Sequence, residues 1–163
     1  MRILLFAAGG DIGGGKTHIL SLAKELAKDN DLRLVCFRRG VMSEEGTLMG
    51  IDTVDIDAGE GIRSAINLAY KQTEEFRPDV IHCHGSKANM MGILVKRKYG
   101  VPVMTTVHSD PNLDYLGSPL RNITYGNINR FCLRRMDYHV AVAGRMKELL
   151  VERGFDAQNI FTV

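Results

Sequence analysis

Continuous apolar runs alternate along this chain with segments whose apolar residues recur every three or four positions. The run from Ile3 to Ala8 has no polar alternation, which is typical of a strand buried on both faces in a parallel sheet. Apolar residues at helical spacing then predict a helix from Gly15 to Asp29. The same alternation of strand and helix patterns continues through the rest of the sequence.

The remaining elements are predicted in the same way. Strands are expected over Leu32 to Phe37, Asp52 to Asp57, Asp79 to His84, Pro102 to Val107, Tyr138 to Ala143 and Asn159 to Val163. Helices are expected over Ile62 to Phe76, Ser86 to about Tyr99, Leu120 to Arg135 and Gly144 to Arg153, with Ser86 as the candidate cap of its helix. The polar alternation of Asp52 to Asp57 indicates a strand at a sheet edge. Loops are predicted over Arg38 to Gly50 and Ser109 to Ser118.

This order of elements predicts a single α/β domain. Strands that alternate with helices form right-handed βαβ units, which build a doubly wound, Rossmann-like parallel sheet with helices on both faces. About seven strands are expected from the pattern. Ligands of such folds bind outside the carboxyl ends of the strands. The segments "GGDIGGGKTH", "HGSK" and "HSD" all follow predicted strands at that end.

Composition narrows the class of protein without naming it. The 163 residues suit one domain, and a net charge of +2 is too small to indicate nucleic-acid binding by itself. Three widely spaced cysteines, Cys36, Cys83 and Cys132, form no CxxC pair, so we expect reduced, buried thiols and a cytoplasmic protein. No apolar run approaches the length of about 20 residues that a membrane-spanning helix needs.

The glycine run after the first strand matches the spelling of a phosphate-binding P-loop from Gly10 to Thr17. Three interpretations stay open. The loop binds a nucleoside triphosphate, it only permits tight packing of strand and helix, or its helix N-terminal amides approach the diphosphate of another ligand. A P-loop also needs a carboxylate for magnesium after a second buried strand, and Asp110 is the sole candidate, two residues late. A small P-loop kinase or NTPase is the alternative function.

Histidines lie at the ends of two of the predicted strands. His82 and His84 share a strand face and can together bind a metal, but no carboxylate lies close in sequence, so we expect no metal site. We expect one of the two to be satisfied within the sheet and His84 to point into the crevice. His108 directly follows a strand, where a neutral imidazole can bind a substrate hydroxyl or act as a base; a packing role is the plain alternative.

Basic residues form the other polar feature. In the simplest interpretation, these residues form a solvated helical face. In a more specific one, they bind an anionic acceptor or the inner surface of a membrane. Aromatic residues that could stack on bases are sparse, which argues against nucleic acid. The basic positions are Arg38, Arg39, Lys96, Arg97, Lys98, Arg130, Arg134 and Arg135.

Three segments in order resemble the N-terminal half of GT-B-fold glycosyltransferases of family 4. They are "GGGKTHILSLAKELAKDNDLRLVCF", "RPDVIHCHGSKANMMGILVKRKYGVPVMTTVHSD" and "CLRRMDYHVAVAGRMKELLVERGFDAQNIFTV". The resemblance implies a hexosyltransferase of cell-envelope polysaccharide synthesis that uses a nucleotide-diphosphate sugar and retains anomeric configuration. Residues 1–163 are then the acceptor-side domain, which takes a sugar or lipid-linked acceptor. The nucleotide-binding C-terminal domain, with its paired glutamates, is absent from this sequence, and the isolated chain is expected to be inactive.

The resemblance also implies roles for particular residues. Gly14 and Gly15 match glycines whose backbone faces the donor diphosphate and the acceptor, and Lys16 lies in the same loop, where many relatives carry another polar residue. His108 matches the histidine that approaches the transferred sugar and is the candidate catalytic residue. The candidate acceptor-binding residues are His18, His84, Ser86, Lys87, Ser109 and Asp110. No cofactor and no metal are expected.

Overall fold

A computed structural model describes residues 1–9, 13–57, 61–108 and 126–163. Its strands are β1 (Arg2–Ala7), β2 (Asp31–Cys36), β3 (Asp52–Asp55), β4 (Val80–His84), β5 (Val103–Val107), β6 (Tyr138–Ala141) and β7 (Ile160–Thr162). They form one parallel, seven-stranded sheet in the order β3-β2-β1-β4-β5-β6-β7. The predicted doubly wound fold is confirmed, and β3 lies at a sheet edge as its polar alternation indicated.

Helices connect the strands and cover both faces of the sheet. The described α-helices are α1 (Gly14–Leu26), α2 (Val41–Leu48), α3 (Ile62–Phe76), α4 (Ser86–Tyr99), α5 (Asn127–Leu133) and α6 (Gly144–Glu152). A single 3₁₀ turn, Ala157–Asn159, precedes β7. Most predicted bounds move by one to three residues; α1, for example, ends at Leu26 rather than Asp29. Only the second half of the helix predicted over Leu120 to Arg135 lies within the described residues. The loop predicted over Ser109 to Ser118 lies outside them.

Strand β1 is buried on both faces because successive side chains point to opposite sides of the sheet. Leu4 and Phe6 pack into the core beneath α3 and α4, while Leu5 and Ala7 pack into the core beneath α1 and α2. All four side chains have no solvent exposure. Burial of one such leucine or phenylalanine stabilises the fold by about 1.5–3 kcal/mol, so this strand anchors both helical layers.

The strand order reverses between β1 and β4. The chain runs from β1 outward through β2 and β3, returns to the other side of β1 at β4, and continues outward to β7. The connections on the two sides of this point leave in opposite directions, which opens a crevice at the carboxyl ends of β1 and β4. Ala7 and His84, the last residues of these two strands, are register partners at this point.

Helix α2 shows that the loop predicted over Arg38 to Gly50 was wrong. Its apolar pattern is sparse, and Gly46 in its last turn is a residue that weakens an isolated helix. A Cβ at Gly46 would lie 2.9 Å from Thr53 Oγ1 and 3.2 Å from Leu34 Cδ2. The glycine therefore lets the helix lie close on β2 and β3, and this packing, rather than local propensity, explains the helix.

The predicted cap of α4 was also wrong. Gly85, not Ser86, is the N-cap, and no side chain accepts a hydrogen bond from the first turn. Gly85 has φ +85°, a positive φ that glycine adopts without the penalty that a Cβ brings. The three cysteines are buried, as predicted.

The buried His139 on β6 makes the stability of the fold depend on pH. Its Nε2–H donates to the carbonyl oxygen of Leu133 at 2.9 Å, and its ring lies edge-on to Phe155. Burial lowers the pKa of His139, and the bond to the carbonyl opposes this only in part. Below the ordinary histidine pKa of about 6.5, the unfolded chain therefore binds a proton that the folded chain does not. The free energy of unfolding consequently falls as the pH falls through this range.

We expect His139→Gln, which keeps a hydrogen-bond donor, to lose less stability than the wild type between about pH 7 and about pH 5. Urea unfolding at a series of pH values measures both curves. Curves that stay parallel over this range would contradict the effect of burial on His139.

Candidate functional site

Two histidines of β4 lie on the face of the sheet that α1 covers. Parallel register pairs His82 with Leu5 and His84 with Ala7, so all four side chains point to the same side. The Nε2 atom of His82 lies 2.7 Å from the Thr106 hydroxyl, a hydrogen bond inside the sheet. The expectation that one histidine of the pair is satisfied within the sheet is confirmed, and that histidine is His82.

His84 has a different environment at the end of the same strand. Its side chain is 1% exposed, yet neither ring nitrogen has a hydrogen-bond partner in the described part of the chain. Burial, followed by the neighbouring histidines, holds the pKa of His84 well below its ordinary value, so the imidazole is neutral at physiological pH. An unpaired buried polar group destabilises a fold by about 1–3 kcal/mol, which makes His84 a group that a ligand can satisfy.

His18 and His108 lie around His84. The ring centroids are 5.9 Å apart for His18 and His84, 6.0 Å for His84 and His108, and 4.9 Å for His18 and His108. His18 is half-buried on the first turns of α1, and His108 is exposed directly after β5. One ring nitrogen from each histidine lies within 4.8 Å of the others, so the three can hold a metal ion. We call these three residues the histidine cluster.

The histidine cluster joins three of the predicted site residues, but the sequence did not show that they meet. The metal expectation considered only the neighbouring pair His82 and His84, because these two are close in sequence. His18 and His108 reach the same point through the βαβ connections, a nonlocal effect of the fold.

The glycine loop ends at the N-terminus of α1, beside the histidine cluster. Gly13 has φ +83°, and Gly14 and Gly15 form the exposed start of the helix. A Cβ added at Gly14 or Gly15 would meet no described atom within 4 Å. Tight packing of strand against helix therefore does not explain these two glycines. Gly10, the first residue of the P-loop spelling, lies outside the described residues.

The side chain of Lys16 is paired with a residue of another helix. Its ammonium forms a salt bridge with the carboxylate of Glu45 on α2. The Thr17 hydroxyl donates to the carbonyl oxygen of Gly13 at 3.4 Å. The strands that flank β1 end in Cys36 and His84, so neither supplies the carboxylate that a P-loop needs for magnesium.

The predicted acceptor residues on α4 differ in role. Lys87 donates to the carbonyl oxygen of Phe37 at 2.7 Å, and burial, with the nearby Arg38, lowers the pKa of its ammonium. Lys87 thus tethers α4 to the end of β2. Ser86 is the half-buried first residue of α4 at the same edge of the sheet. Ser109 and Asp110 lie outside the described residues.

Several of the basic residues interact within the chain. Lys96 binds Asp137 at 2.7 Å, Lys98 lies 3.6 Å from Glu74, and Arg39 lies 2.6 Å from Asp57. These pairs support the plain interpretation of a solvated surface for the basic positions they involve. Within the described ranges, every helix is too short or too polar to cross a bilayer.

Solved structures with the same fold share little sequence with this chain. HepE of Anabaena in complex with UDP-glucose aligns with a TM-score of 0.78 at 16% identity, over 100% of this chain and 43% of that one. The UDP-N-acetylglucosamine 2-epimerase of Rickettsia bellii aligns with a TM-score of 0.72 at 15% identity, over 99% and 44%. The lipopolysaccharide outer core galactosyltransferase WaaB, in its apo form, aligns with a TM-score of 0.71 at 17% identity, over 98% and 44%. This chain spans less than half the length of each.

Sequence comparison identifies the family. No curated protein matches the sequence significantly. The family described as "Glycosyltransferase Family 4" matches residues 12–163, nearly the whole chain. The seven-stranded Rossmann-like sheet agrees with the GT-B architecture of the solved relatives. The chain therefore belongs to glycosyltransferase family 4.

Proposed function

We propose that this chain is the acceptor-side half of a glycosyltransferase that moves a hexosyl group from a nucleotide-diphosphate sugar to an acceptor with retention of configuration. The observation that carries the proposal is the convergence at one edge of the sheet. The exposed start of α1 at Gly14 and Gly15 lies beside the buried, unpaired His84 and the exposed His108.

The charges that develop during transfer suit this arrangement. Departure of the nucleoside diphosphate leaves negative charge on phosphate and cationic character on the sugar. Backbone amides at the N-terminus of α1 favour the negative charge, because the helix dipole is positive there. His108 in its neutral form can hydrogen-bond the sugar without placing a positive charge beside the cationic carbon.

The donor nucleotide is proposed to bind a second Rossmann-like domain, which closes on this edge of the sheet. The isolated chain is then inactive, because neither half alone holds donor and acceptor together. The acceptor is proposed to be a sugar or lipid-linked sugar of a cell-envelope polysaccharide. A lipid-linked acceptor would place the protein at the cytoplasmic face of a membrane.

Replacing Gly14 with alanine tests whether a ligand approaches the backbone at the start of α1. No described atom opposes the new methyl group, and alanine favours a helix over glycine by about 1 kcal/mol, so thermal stability should be kept or raised. The rate of transfer by the product of the complete reading frame should fall by at least about tenfold, because the methyl group displaces the reacting groups.

Gly144→Ala is the matched control. Gly144 begins α6 as Gly14 begins α1, is likewise exposed, and likewise has no described atom within 4 Å of an added Cβ. This variant should keep its transfer rate. Equal rates for the two variants would contradict a ligand at the start of α1.

A further inference from the structure

We propose that Arg38 and Lys87, which we call the cation pair, bind a phosphate or carboxylate group of the acceptor, so that the acceptor is an anionic molecule. This inference rests on the proposed function and deepens it, because it names the charge of the acceptor. Arg38 comes two residues after β2, and Lys87 is the second residue of α4. Both therefore lie at the edge of the sheet where the parallel strands end.

A hydrogen bond between distant elements brings the two residues of the cation pair together. The ammonium of Lys87 donates to the carbonyl oxygen of Phe37 at 2.7 Å, and this carbonyl belongs to the peptide bond that joins Phe37 to Arg38. Burial lowers the pKa of the Lys87 ammonium, and the positive charge of Arg38 lowers it further, so the two charges interact. An ammonium has three donors, and the bond to Phe37 leaves two of them for a ligand.

The cation pair forms no salt bridge within the part of the chain that the structure describes. The next residue, Arg39, differs in this respect, because it binds Asp55 at 3.0 Å and Asp57 at 2.6 Å. Two like charges held together destabilise each other, and an anionic ligand would relieve that repulsion. Arginine suits phosphate and carboxylate groups, because its planar guanidinium binds them through two parallel hydrogen bonds.

The crevice beside the cation pair carries further groups that a ligand can satisfy. The first turn of α4 has no side-chain cap and no acidic residue, so its backbone amides and the helix dipole favour an anion near Lys87. His84, two residues before α4, is 1% exposed, and neither ring nitrogen has a partner among the described residues. A hydroxyl of the same acceptor can pair with His84, because a neutral imidazole has one donor and one acceptor nitrogen.

The cation pair is separate from the place where the sugar is proposed to be transferred. Arg38 follows β2 and His108 follows β5, and β1 and β4 lie between these strands. Neighbouring strands are about 4.8 Å apart, so the two chain segments are about 14 Å apart. The cation pair therefore places no positive charge beside the sugar carbon that becomes cationic. The acceptor would extend along the sheet edge from His108 past His84 to the cation pair.

Titration calorimetry of the 163-residue protein with sodium diphosphate, without metal or sugar, tests the anion site. We expect saturable binding that is at least about tenfold weaker in Arg38→Gln and in Lys87→Gln, because each variant removes a charge-assisted hydrogen bond. Glutamine keeps a hydrogen-bond donor and removes only the charge. Arg38 is exposed and Lys87 is half-buried, and circular dichroism checks that both variants are folded.

Arg39→Gln is the matched control. It removes the same charge from the adjacent position, but Arg39 is already paired with Asp55 and Asp57. This variant should bind diphosphate as the wild type does. The anion site is overturned if the wild type shows no saturable binding, if either variant of the cation pair loses less than about tenfold in affinity, or if the control loses as much as they do.

Competition against diphosphate identifies the source of the anionic group. The competitors are glucose 6-phosphate, glucuronate and glucose diphosphate linked to a short prenyl chain, with methyl glucoside as the neutral control. Displacement by at least one acidic competitor, and not by methyl glucoside, supports an anionic acceptor, and displacement by none of them overturns it. Diphosphate binding that depends on the cation pair, without turnover of any sugar nucleotide, would contradict the proposed function and leave the anion site in place.

Discussion

Replacing His108 with alanine is expected to lower the rate of sugar transfer by about 100-fold or more in the product of the complete reading frame. His108 is exposed at the carboxyl end of β5, and its ring centroid lies 6.0 Å from that of the buried His84 at the crevice. The substitution removes a hydrogen bond to the reacting sugar and leaves the core untouched, so the melting temperature should stay the same. Release of nucleoside diphosphate from the sugar donor measures the rate.

His108→Asn separates a hydrogen-bonding role from a packing role. The asparagine amide can form one of the bonds of the imidazole, so this variant should recover part of the rate that alanine loses. A rate for His108→Ala equal to that of the wild type would contradict the role of His108 in transfer.

Replacing Gly9 with alanine is expected to destabilise the protein by about 3–5 kcal/mol, from backbone strain and overpacking together. Gly9 follows β1 with φ +85°, where a Cβ is strained. The same Cβ would lie 2.1 Å from the backbone carbonyl oxygen of Arg38, so the chain beyond β2 would have to shift. Urea unfolding followed by circular dichroism measures the loss.

Gly13→Ala separates strain from steric overlap. Gly13 has nearly the same φ, +83°, but no described atom lies within 4 Å of its added Cβ. Only the backbone strain of about 1–3 kcal/mol remains, so this variant should lose less stability than Gly9→Ala. Equal losses for the two variants would show that the overlap at Arg38 contributes nothing.

The layers of the fold could be predicted from the sequence because they depend on local patterns. The unbroken apolar run of β1 and the polar alternation of β3 indicate their places in the sheet, at its centre and at its edge. Helix α2 could not be predicted in this way. It depends on the close approach of Gly46 to Leu34 and Thr53, a contact that exists only after β2 and β3 have paired.

The candidate site was predictable only in part, for a similar reason. The rule that ligands bind at the carboxyl ends of parallel strands is enough to place His84 and His108 at one edge of the sheet. It cannot show that His18 lies against both of them, nor that Lys16 is engaged by Glu45 on α2, a helix that the apolar pattern does not predict. These contacts join elements far apart in sequence.

The central proposal is that this chain belongs to an enzyme that works with a sugar nucleotide and not with a nucleoside triphosphate. Release of nucleoside diphosphate from a panel of nucleotide-diphosphate sugars, measured beside hydrolysis of ATP with Mg²⁺, compares the two directly in the product of the complete reading frame. We predict turnover of at least one sugar nucleotide that His108→Ala strongly reduces, and no hydrolysis of ATP. Hydrolysis of ATP that Lys16→Ala abolishes, without turnover of any sugar nucleotide, would contradict the proposal and favour the P-loop alternative.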